Sequence, residues 1–153
     1  MAKLQADLRE FIALLNSHNV EYLLVGGHAV AFHGHPRFTG DIDFFVRTTP
    51  DNARRILAVL EQFGFGNIGI TEADLLEGGR IVQLGHPPNR IDVLTAISGV
   101  EFESAWRSRV GAVLDEQPIF VLGWDALLQN KRSAGRPKDL ADVAKLLSVA
   151  KQK

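Results

Sequence analysis

The 153-residue sequence predicts an α/β protein of the α+β type, with a mixed central sheet flanked by helices and further helices at the C-terminus. The order of elements predicts this class, because it reads α-β-α-β-α, then mostly strands, then helices. Length is the second observation, since 153 residues suit one domain, which we place over residues 1–153.

The first half of the chain is predicted to hold three helices and two strands. Apolar residues recur at helical spacing in the helices, whereas the strands are short and apolar. In order, these elements are a helix over residues 3–17, a strand Tyr22–Val25, a short helix from Gly26-Gly27 to Phe32, a strand Asp41–Val46, and a helix that begins at Thr49 and ends at Gly64.

The second half is predicted from turn signals and apolar runs. It contains a short helix at residues 71–74, strands Arg80–Leu84 and Arg90–Leu94, a helix within residues 100–109, a strand Ile119–Leu122, and a helical segment from Asp125 onward that is broken at residues 133–137. The spacing also predicts that four apolar residues of the last helix are core: Leu140, Val143, Leu146 and Leu147.

Composition excludes several classes of protein. Without cysteine, neither a disulfide framework nor a thiolate metal site is possible. The net charge of −1 argues against non-specific binding of nucleic acid by the whole surface. No apolar run approaches the roughly 20 residues that span a bilayer, and the first residues are typical of an amphipathic helix rather than a signal peptide. We therefore expect a cytoplasmic protein that does not bind membranes.

Two aspartates on one strand are the main clue to function. Side chains alternate between the faces of a strand, so that Asp41 and Asp43 point the same way. Their Cα atoms would lie roughly 6–7 Å apart, which suits one shared divalent cation or two neighbouring ones. Strand-end acids that cap a turn or form salt bridges are an equally good interpretation of this pair alone.

Two further features favour a metal and phosphate site. Gly26-Gly27 joins a strand to a helix start, where backbone N–H groups favour a phosphate, although a tight turn alone explains such a pair. Asp92 lies in a later strand between apolar neighbours. If that strand pairs with the Asp41/Asp43 strand, three carboxylates converge and suit two Mg²⁺ ions. The alternative is that Asp92 is a surface acid paired with Arg90.

In combination, these residues resemble the DNA polymerase beta-like nucleotidyltransferase superfamily. Its members have a Gly-Gly or Gly-Ser pair upstream of D-x-[DE] and a third acid on a neighbouring strand. Arg37-Phe38-Thr39-Gly40 before Asp41 is similar to the R-x-T-x-D-x-D of small bacterial members. The segment 130–142 is similar to their N-K-x-x-x-G-R-x-K-D-x-x-D signature. Those members include stand-alone minimal proteins and partners in toxin–antitoxin pairs.

The resemblance covers about residues 20–145 and implies a nucleotidyltransferase fold and a Mg²⁺-dependent activity, with Mn²⁺ as a substitute. It implies transfer of a nucleoside monophosphate from a nucleoside triphosphate such as ATP to a hydroxyl of a protein, a tRNA or a small molecule. The implied catalytic and metal residues are Asp41, Asp43 and Asp92. The implied nucleotide-binding residues are Gly26, Gly27, His28, Arg37, Thr39, Lys131, Arg136 and Lys138.

One departure from the family pattern motivates a second hypothesis. Gly27 stands where serine is usual, which removes a hydroxyl that would touch phosphate or metal. The alternative is therefore a catalytically weak binding module or antitoxin-like partner with the same fold. Other D-x-D families fit less well, because haloacid dehalogenase-like phosphatases have Thr or Val where this chain has Phe45, and D-x-D glycosyltransferases are normally larger.

Remaining polar residues have simpler interpretations. His28, His33 and His35 lack the spacing of a zinc site and are expected at the mouth of the cleft or in hydrogen bonds within the loop. Asp139 is expected to cap the last helix or to pair with a nearby Arg. Trp106 and Trp124 are expected in the core.

Overall fold

The computed structural model describes residues 6–36, 40–66, 68–86 and 90–152. These ranges contain seven helices and a six-stranded mixed sheet, which confirms the predicted fold class. The helices are α1 (Ala6–Ser17), α2 (Gly26–Phe32), α3 (Pro50–Phe63), α4 (Glu72–Leu76), α5 (Phe102–Arg107), α6 (Trp124–Ala134) and α7 (Pro137–Lys151). The strands are β1 (Tyr22–Val25), β2 (Asp41–Val46), β3 (Ile81–Leu84), β4 (Arg90–Leu94), β5 (Val110–Leu114) and β6 (Gln117–Val121).

The sheet has the strand order β3-β4-β2-β1-β6-β5. Strand β2 pairs antiparallel with β1 and parallel with β4, so that both of its edges carry backbone hydrogen bonds. Strand β1 in turn pairs parallel with β6. Side chains on β2 are therefore held from both sides, which suits a strand that positions a functional site. No helix in the described ranges is both long and apolar enough to cross a membrane.

Helix ends form where the sequence predicts them. The Thr49 hydroxyl accepts a hydrogen bond from the Asn52 N–H, and Gly64 ends α3 with a φ of 100°, a conformation that glycine adopts without steric cost. At the start of α4, Thr71 and Asp74 form a reciprocal capping box. These ends confirm the predicted starts of both helices.

Different helices pack on the two faces of the sheet. Phe44 of β2 contacts the ring of Phe11 in α1 at 5.6 Å, and Phe11 contacts Phe63 of α3 at 5.2 Å. Phe45 points to the opposite face, where it contacts Phe102 of α5 at 5.1 Å. Since Asp43 alternates with Phe44, the aspartates share the α5 face of the sheet, and α1 and α3 cover the other face.

Three predictions need correction or completion. Strand β5 was not predicted, and it forms an antiparallel hairpin with β6. Val143 and Leu146 are buried as expected, but Leu140 and Leu147 are exposed, because the buried stripe of α7 is narrower than its apolar spacing suggests. Trp106 and Trp124 are partly buried against the core. The first residues of the predicted helix 3–17 lie outside the described ranges.

Candidate active site

Three carboxylates converge at the start of β2. In the parallel pairing of β2 and β4, Asp43 lies directly opposite Asp92 and Asp41 lies opposite Arg90. One ligand oxygen from each of Asp41, Asp43 and Asp92 lies within 4.8 Å of the others. The predicted pairing of the two acidic strands is thus found in the structure. We call these three residues the acidic triad.

Gly26 packs directly against the carboxylate of Asp43. Its φ is +66°, and a Cβ placed on it would lie 2.1 Å from Oδ2 of Asp43. A side chain at this position is therefore excluded twice, by backbone conformation and by the carboxylate itself. The structure gives the first glycine of the pair a steric role beside Asp43, in addition to its place at the start of α2.

Crowding changes the protonation of Asp43. Burial raises its pKa, and hydrogen bonding to Asp92 and the negative charges of Asp92 and Asp41 raise it further, to about 7. The positive charge of Arg90 opposes this rise. Near pH 7 the Asp43 carboxyl is therefore only partly ionised, because burial and the neighbouring carboxylates both disfavour its charge. A divalent cation would relieve the same repulsion.

Arg90 bonds to two members of the triad. Its Nε donates to Oδ1 of Asp92 at 3.0 Å, and its Nη2 donates to Oδ2 of Asp92 at 3.1 Å. The same Nη2 donates to Oδ2 of Asp41 at 2.5 Å. Pairing of Asp92 with Arg90 was the simpler alternative to a metal role, and the structure shows it together with the convergence of the triad. It also makes Arg90 part of the site, which the candidate residues from sequence did not include.

His28 lies next to the triad from the α2 side. Burial lowers its pKa, and a hydrogen bond with the Asp41 main chain partly opposes that shift. Its Nδ1 atom is buried and has no hydrogen-bond partner within the described residues. Because buried polar atoms are nearly always paired, this nitrogen is positioned to meet a ligand or a water molecule. The neutral imidazole can either donate or accept such a bond.

The other histidines of this region do not join the triad. His33 Nε2 bonds to the Leu122 carbonyl at 2.7 Å, and its ring contacts Trp124. Phe32, His33, Trp124 and Ala150 line a cavity of about 330 Å³. Among the described residues, the acidic triad is the one group of three or more side chains that could hold a metal ion together, and it contains no histidine. His33 therefore bonds to the main chain just after β6, and not within its own loop as expected.

The basic segment of residues 130–142 forms a buried ion cluster between α6 and α7. Lys131 is buried, and its Nζ lies 3.3 Å from Asp139 Oδ1 and 3.2 Å from Asp142 Oδ2. Arg136 donates from Nε to Asp139 Oδ2 at 2.7 Å, and its main-chain N–H also donates to Asp139. Both expectations for Asp139, a helix cap and an Arg partner, are confirmed. Lys138, in contrast, is exposed.

Neighbouring positive charges lower the pKa of Asp139. Burial alone would raise the pKa of Asp139, but the hydrogen bond from Arg136 and the charge of Lys131 outweigh it and hold that pKa below its ordinary value. Asp139 is therefore ionised at neutral pH. Arg37 and Thr39, two further candidates for nucleotide binding, lie outside the described residues.

Comparison with known proteins agrees with this geometry. Residues 2–151 match the model of the family described as "Nucleotidyltransferase of unknown function (DUF6036)". The chain belongs to this family. It is therefore a nucleotidyltransferase, as the resemblance of its motifs implied. Comparison with curated proteins returns no match.

A solved structure supports the fold of this nucleotidyltransferase. This chain is similar to the crystal structure of ANT(2")-Ia in complex with adenylyl-2"-tobramycin, with a TM-score of 0.55 and 17% sequence identity. The match covers 91% of this chain and 84% of the other. At this level of identity the likeness concerns the fold. Neither comparison points to the toxin–antitoxin type.

Proposed function

We propose that this nucleotidyltransferase moves a nucleoside monophosphate from a nucleoside triphosphate to an acceptor hydroxyl, with divalent cations held by the acidic triad. The observation that supports this proposal most directly is the convergence of three carboxylates from β2 and β4 within 4.8 Å. Two of these acids, Asp41 and Asp43, share one face of β2, and the third, Asp92, is the register partner of Asp43. Cations at such a site can stabilise the attacking and leaving oxygens of a displacement at phosphorus, and the family match favours nucleotidyl transfer among such reactions.

The residues fit a hard divalent cation such as Mg²⁺ or Mn²⁺. All three ligands are carboxylate oxygens, which such cations prefer. Burial and the charges of Asp92 and Asp41 both disfavour a bare carboxylate at Asp43 and raise its pKa, and a dication would offset both effects. When bound, the cation supplies positive charge for phosphate oxygens and makes a nearby hydroxyl easier to deprotonate.

Each triad residue has a distinct part in the proposed reaction. Asp41 and Asp43 hold the cations that bind the triphosphate. Asp92 holds a second cation or accepts the proton of the acceptor hydroxyl as general base. The hydroxyl oxygen bonds to the α-phosphorus, the bond from that phosphorus to the bridging oxygen breaks, and pyrophosphate leaves. Asp43 must lose its extra proton before it takes part as a ligand.

Residues around the triad are proposed to bind the nucleotide. Gly26 and Gly27 place the start of α2 beside the triad, and His28 offers its unpaired Nδ1. Arg37 and Thr39 retain the role implied by their motif. Of the basic residues, exposed Lys138 suits contact with a phosphate or a polyanionic acceptor. The ion pairs of Lys131 and Arg136 support an indirect role, in which they hold α6 against α7.

The proposed reaction requires an acceptor hydroxyl, and a protein, a tRNA or a small molecule each offers one. The structurally similar protein ANT(2")-Ia was solved in complex with adenylyl-2"-tobramycin, a nucleotidylated small molecule. This makes ATP the first donor to test and small polyhydroxylated molecules the first acceptors. A toxin or antitoxin partner is supported by the sequence resemblance alone, and copurification would reveal it.

The first experiment is incubation of the protein and Mg²⁺ with each labelled nucleoside triphosphate in cell extract, followed by identification of the labelled product. We expect label transfer that EDTA abolishes. Asp41→Ala and Asp43→Ala should each reduce transfer by about 100-fold or more, with the fold retained. Full activity in the double variant would overturn the proposal.

Asp51→Ala is a matched control, because Asp51 is an exposed carboxylate of α3 that pairs with Arg54. Its removal should leave transfer unchanged. The alternative function, a catalytically weak binding module, is motivated by Gly27 in place of serine. It predicts a stable protein partner, no labelled product and no Mg²⁺-dependent binding of nucleotide in calorimetry.

A further inference from the structure

Arg90 bonds to carboxylate oxygens of two of the three residues that would hold a cation, Asp41 and Asp92. Its guanidinium bonds to both carboxylate oxygens of Asp92 and to Oδ2 of Asp41. The side chain is only 27% exposed, and it begins β4 directly opposite Asp41. Such a fork on one carboxylate, with a bridge to a second, is among the strongest geometries for an arginine.

A dication and this guanidinium compete for the triad. Each carboxylate oxygen has room for a second partner, but two cations within a few ångströms repel each other strongly in a partly buried site. Loading of the triad therefore requires Arg90 to move away from at least one carboxylate. Once it has moved, the Arg90 guanidinium lacks an anionic partner, and the phosphates of a nucleotide can supply one.

We propose that Arg90 is a positioning residue that occupies the acidic triad as a built-in counter-ion until a nucleotide arrives with its divalent cation. This inference rests on the proposed function of the triad as a divalent cation site. Arg90 lowers the affinity for the bare cation and, by pairing with phosphate, couples cation binding to nucleotide binding. Such coupling is reciprocal, so that the nucleotide and the cation each strengthen the binding of the other.

The test measures Mn²⁺ binding by electron paramagnetic resonance, with and without a non-hydrolysable nucleoside triphosphate analogue. Arg90→Gln should bind Mn²⁺ alone at least about 10-fold more tightly than wild type, because a competing charge is removed. The increase in Mn²⁺ affinity caused by the analogue should be smaller in Arg90→Gln than in wild type. Equal or weaker binding of Mn²⁺ alone by the variant would overturn the inference.

Arg80→Gln provides the matched control, since Arg80 pairs with Asp74 and Glu77 at an exposed position away from the triad. It should leave both affinities unchanged. Arg90→Lys keeps the charge but loses the fork, and its affinity for Mn²⁺ alone should lie between wild type and Arg90→Gln. If Arg90→Gln does not fold, the same comparison is made with Arg90→Lys, and binding equal to wild type overturns the inference.

The result for wild type separates this inference from the proposed function. Wild type that binds Mn²⁺ with the analogue, beside an Arg90→Gln variant of equal affinity, contradicts only the role of Arg90. Absence of Mn²⁺ binding in wild type and every variant, even with the analogue, contradicts the metal site and the inference together. Mn²⁺ binding by Arg90→Gln alone, without analogue, supports the inference in its strongest form.

Discussion

The Asp43 carboxylate lies against the backbone of Gly26, at a point where a Cβ would approach Oδ2 to 2.1 Å. The Asp43 carboxylate therefore leaves no room for any residue larger than glycine at position 26. This contact joins the end of β1 to β2, because Val25 and Asp43 are register partners in the sheet. Any side chain at residue 26 must push the triad apart or rebuild the turn into α2.

Substitution of Gly26 by alanine should consequently abolish most activity. The left-handed φ costs about 1 kcal/mol for a non-glycine residue, and displacement of Asp43 adds to this. Gly79→Ala is the control, since its φ of +81° is similar but no atom lies within 4 Å of the added Cβ. We expect both variants to lose stability in urea unfolding, Gly26→Ala more than Gly79→Ala, and a large loss of nucleotide transfer in Gly26→Ala alone. Equal activity in the two would contradict this steric role.

Protonation of Asp43 predicts how the stability of the cation-free protein depends on pH. Its pKa is about 7 against an ordinary value of 3.8, so the folded state holds the proton more tightly than the unfolded state. The resulting stabilisation is complete below pH 3.8 and is lost as pH rises to about 7. Asp43→Asn removes this loss and should be more stable than wild type at pH 8 by about 1–3 kcal/mol, with the difference shrinking towards pH 4.

Urea unfolding in EDTA at pH 4, 6 and 8 checks this expectation. The same pH dependence in wild type and Asp43→Asn would show that another group is responsible. A second consequence concerns the cation, which must release the proton of Asp43 in order to bind. Mg²⁺ should therefore raise the melting temperature of wild type more at pH 8 than at pH 6.

The ion cluster of α6 and α7 gives a prediction about stability. Lys131→Met leaves Asp139 and Asp142 buried without their shared amine and should cost about 3–5 kcal/mol. Lys138→Met, at an exposed position, should change stability by less than about 0.5 kcal/mol. Chemical unfolding measures both. If Lys138 contacts phosphate, its variant raises the KM for nucleotide while stability stays the same, and an unchanged KM would remove Lys138 from the site.

His28 supplies a prediction about nucleotide affinity. Loss of one neutral hydrogen bond from its Nδ1 should weaken binding about 3- to 10-fold, so that His28→Ala raises the dissociation constant of the nucleotide by that factor. His18→Ala is the control, because His18 bonds to Gln62 on the surface. Calorimetry at saturating Mg²⁺ measures both. A His28 variant that binds like wild type would mean that the unpaired nitrogen meets only solvent.

Much of this architecture could be predicted from sequence because local signals agree with the tertiary structure. The β5–β6 hairpin is the clearest exception. Its two-residue loop is Asp115-Glu116, and both residues have positive φ, 47° and 68°. Such turns normally contain glycine or asparagine, so that the usual hairpin signal was missing. Gly111 within β5 weakened the strand pattern as well.

The site shows a similar limit. Alternation in β2 predicted the direction of Asp41 and Asp43, but the contact of Arg90 with two carboxylates depends on the register of β4, which no local pattern encodes. Likewise, the charged motif around Lys131 predicted a phosphate contact, because sequence does not reveal that its amine is buried between carboxylates. Long-range pairing thus decides which charges meet and which remain available to a ligand.

The register of β2 against β4 also links chemistry to the completion of folding. Arg90 and Asp41 are 49 positions apart, and a slip of one residue would turn Asp92 to the opposite face of the sheet. Parallel strands so distant in sequence associate late, after their crossover has formed. A nascent or misfolded chain therefore lacks the assembled triad, and cation-dependent nucleotide binding would count only those molecules whose central sheet is correctly assembled.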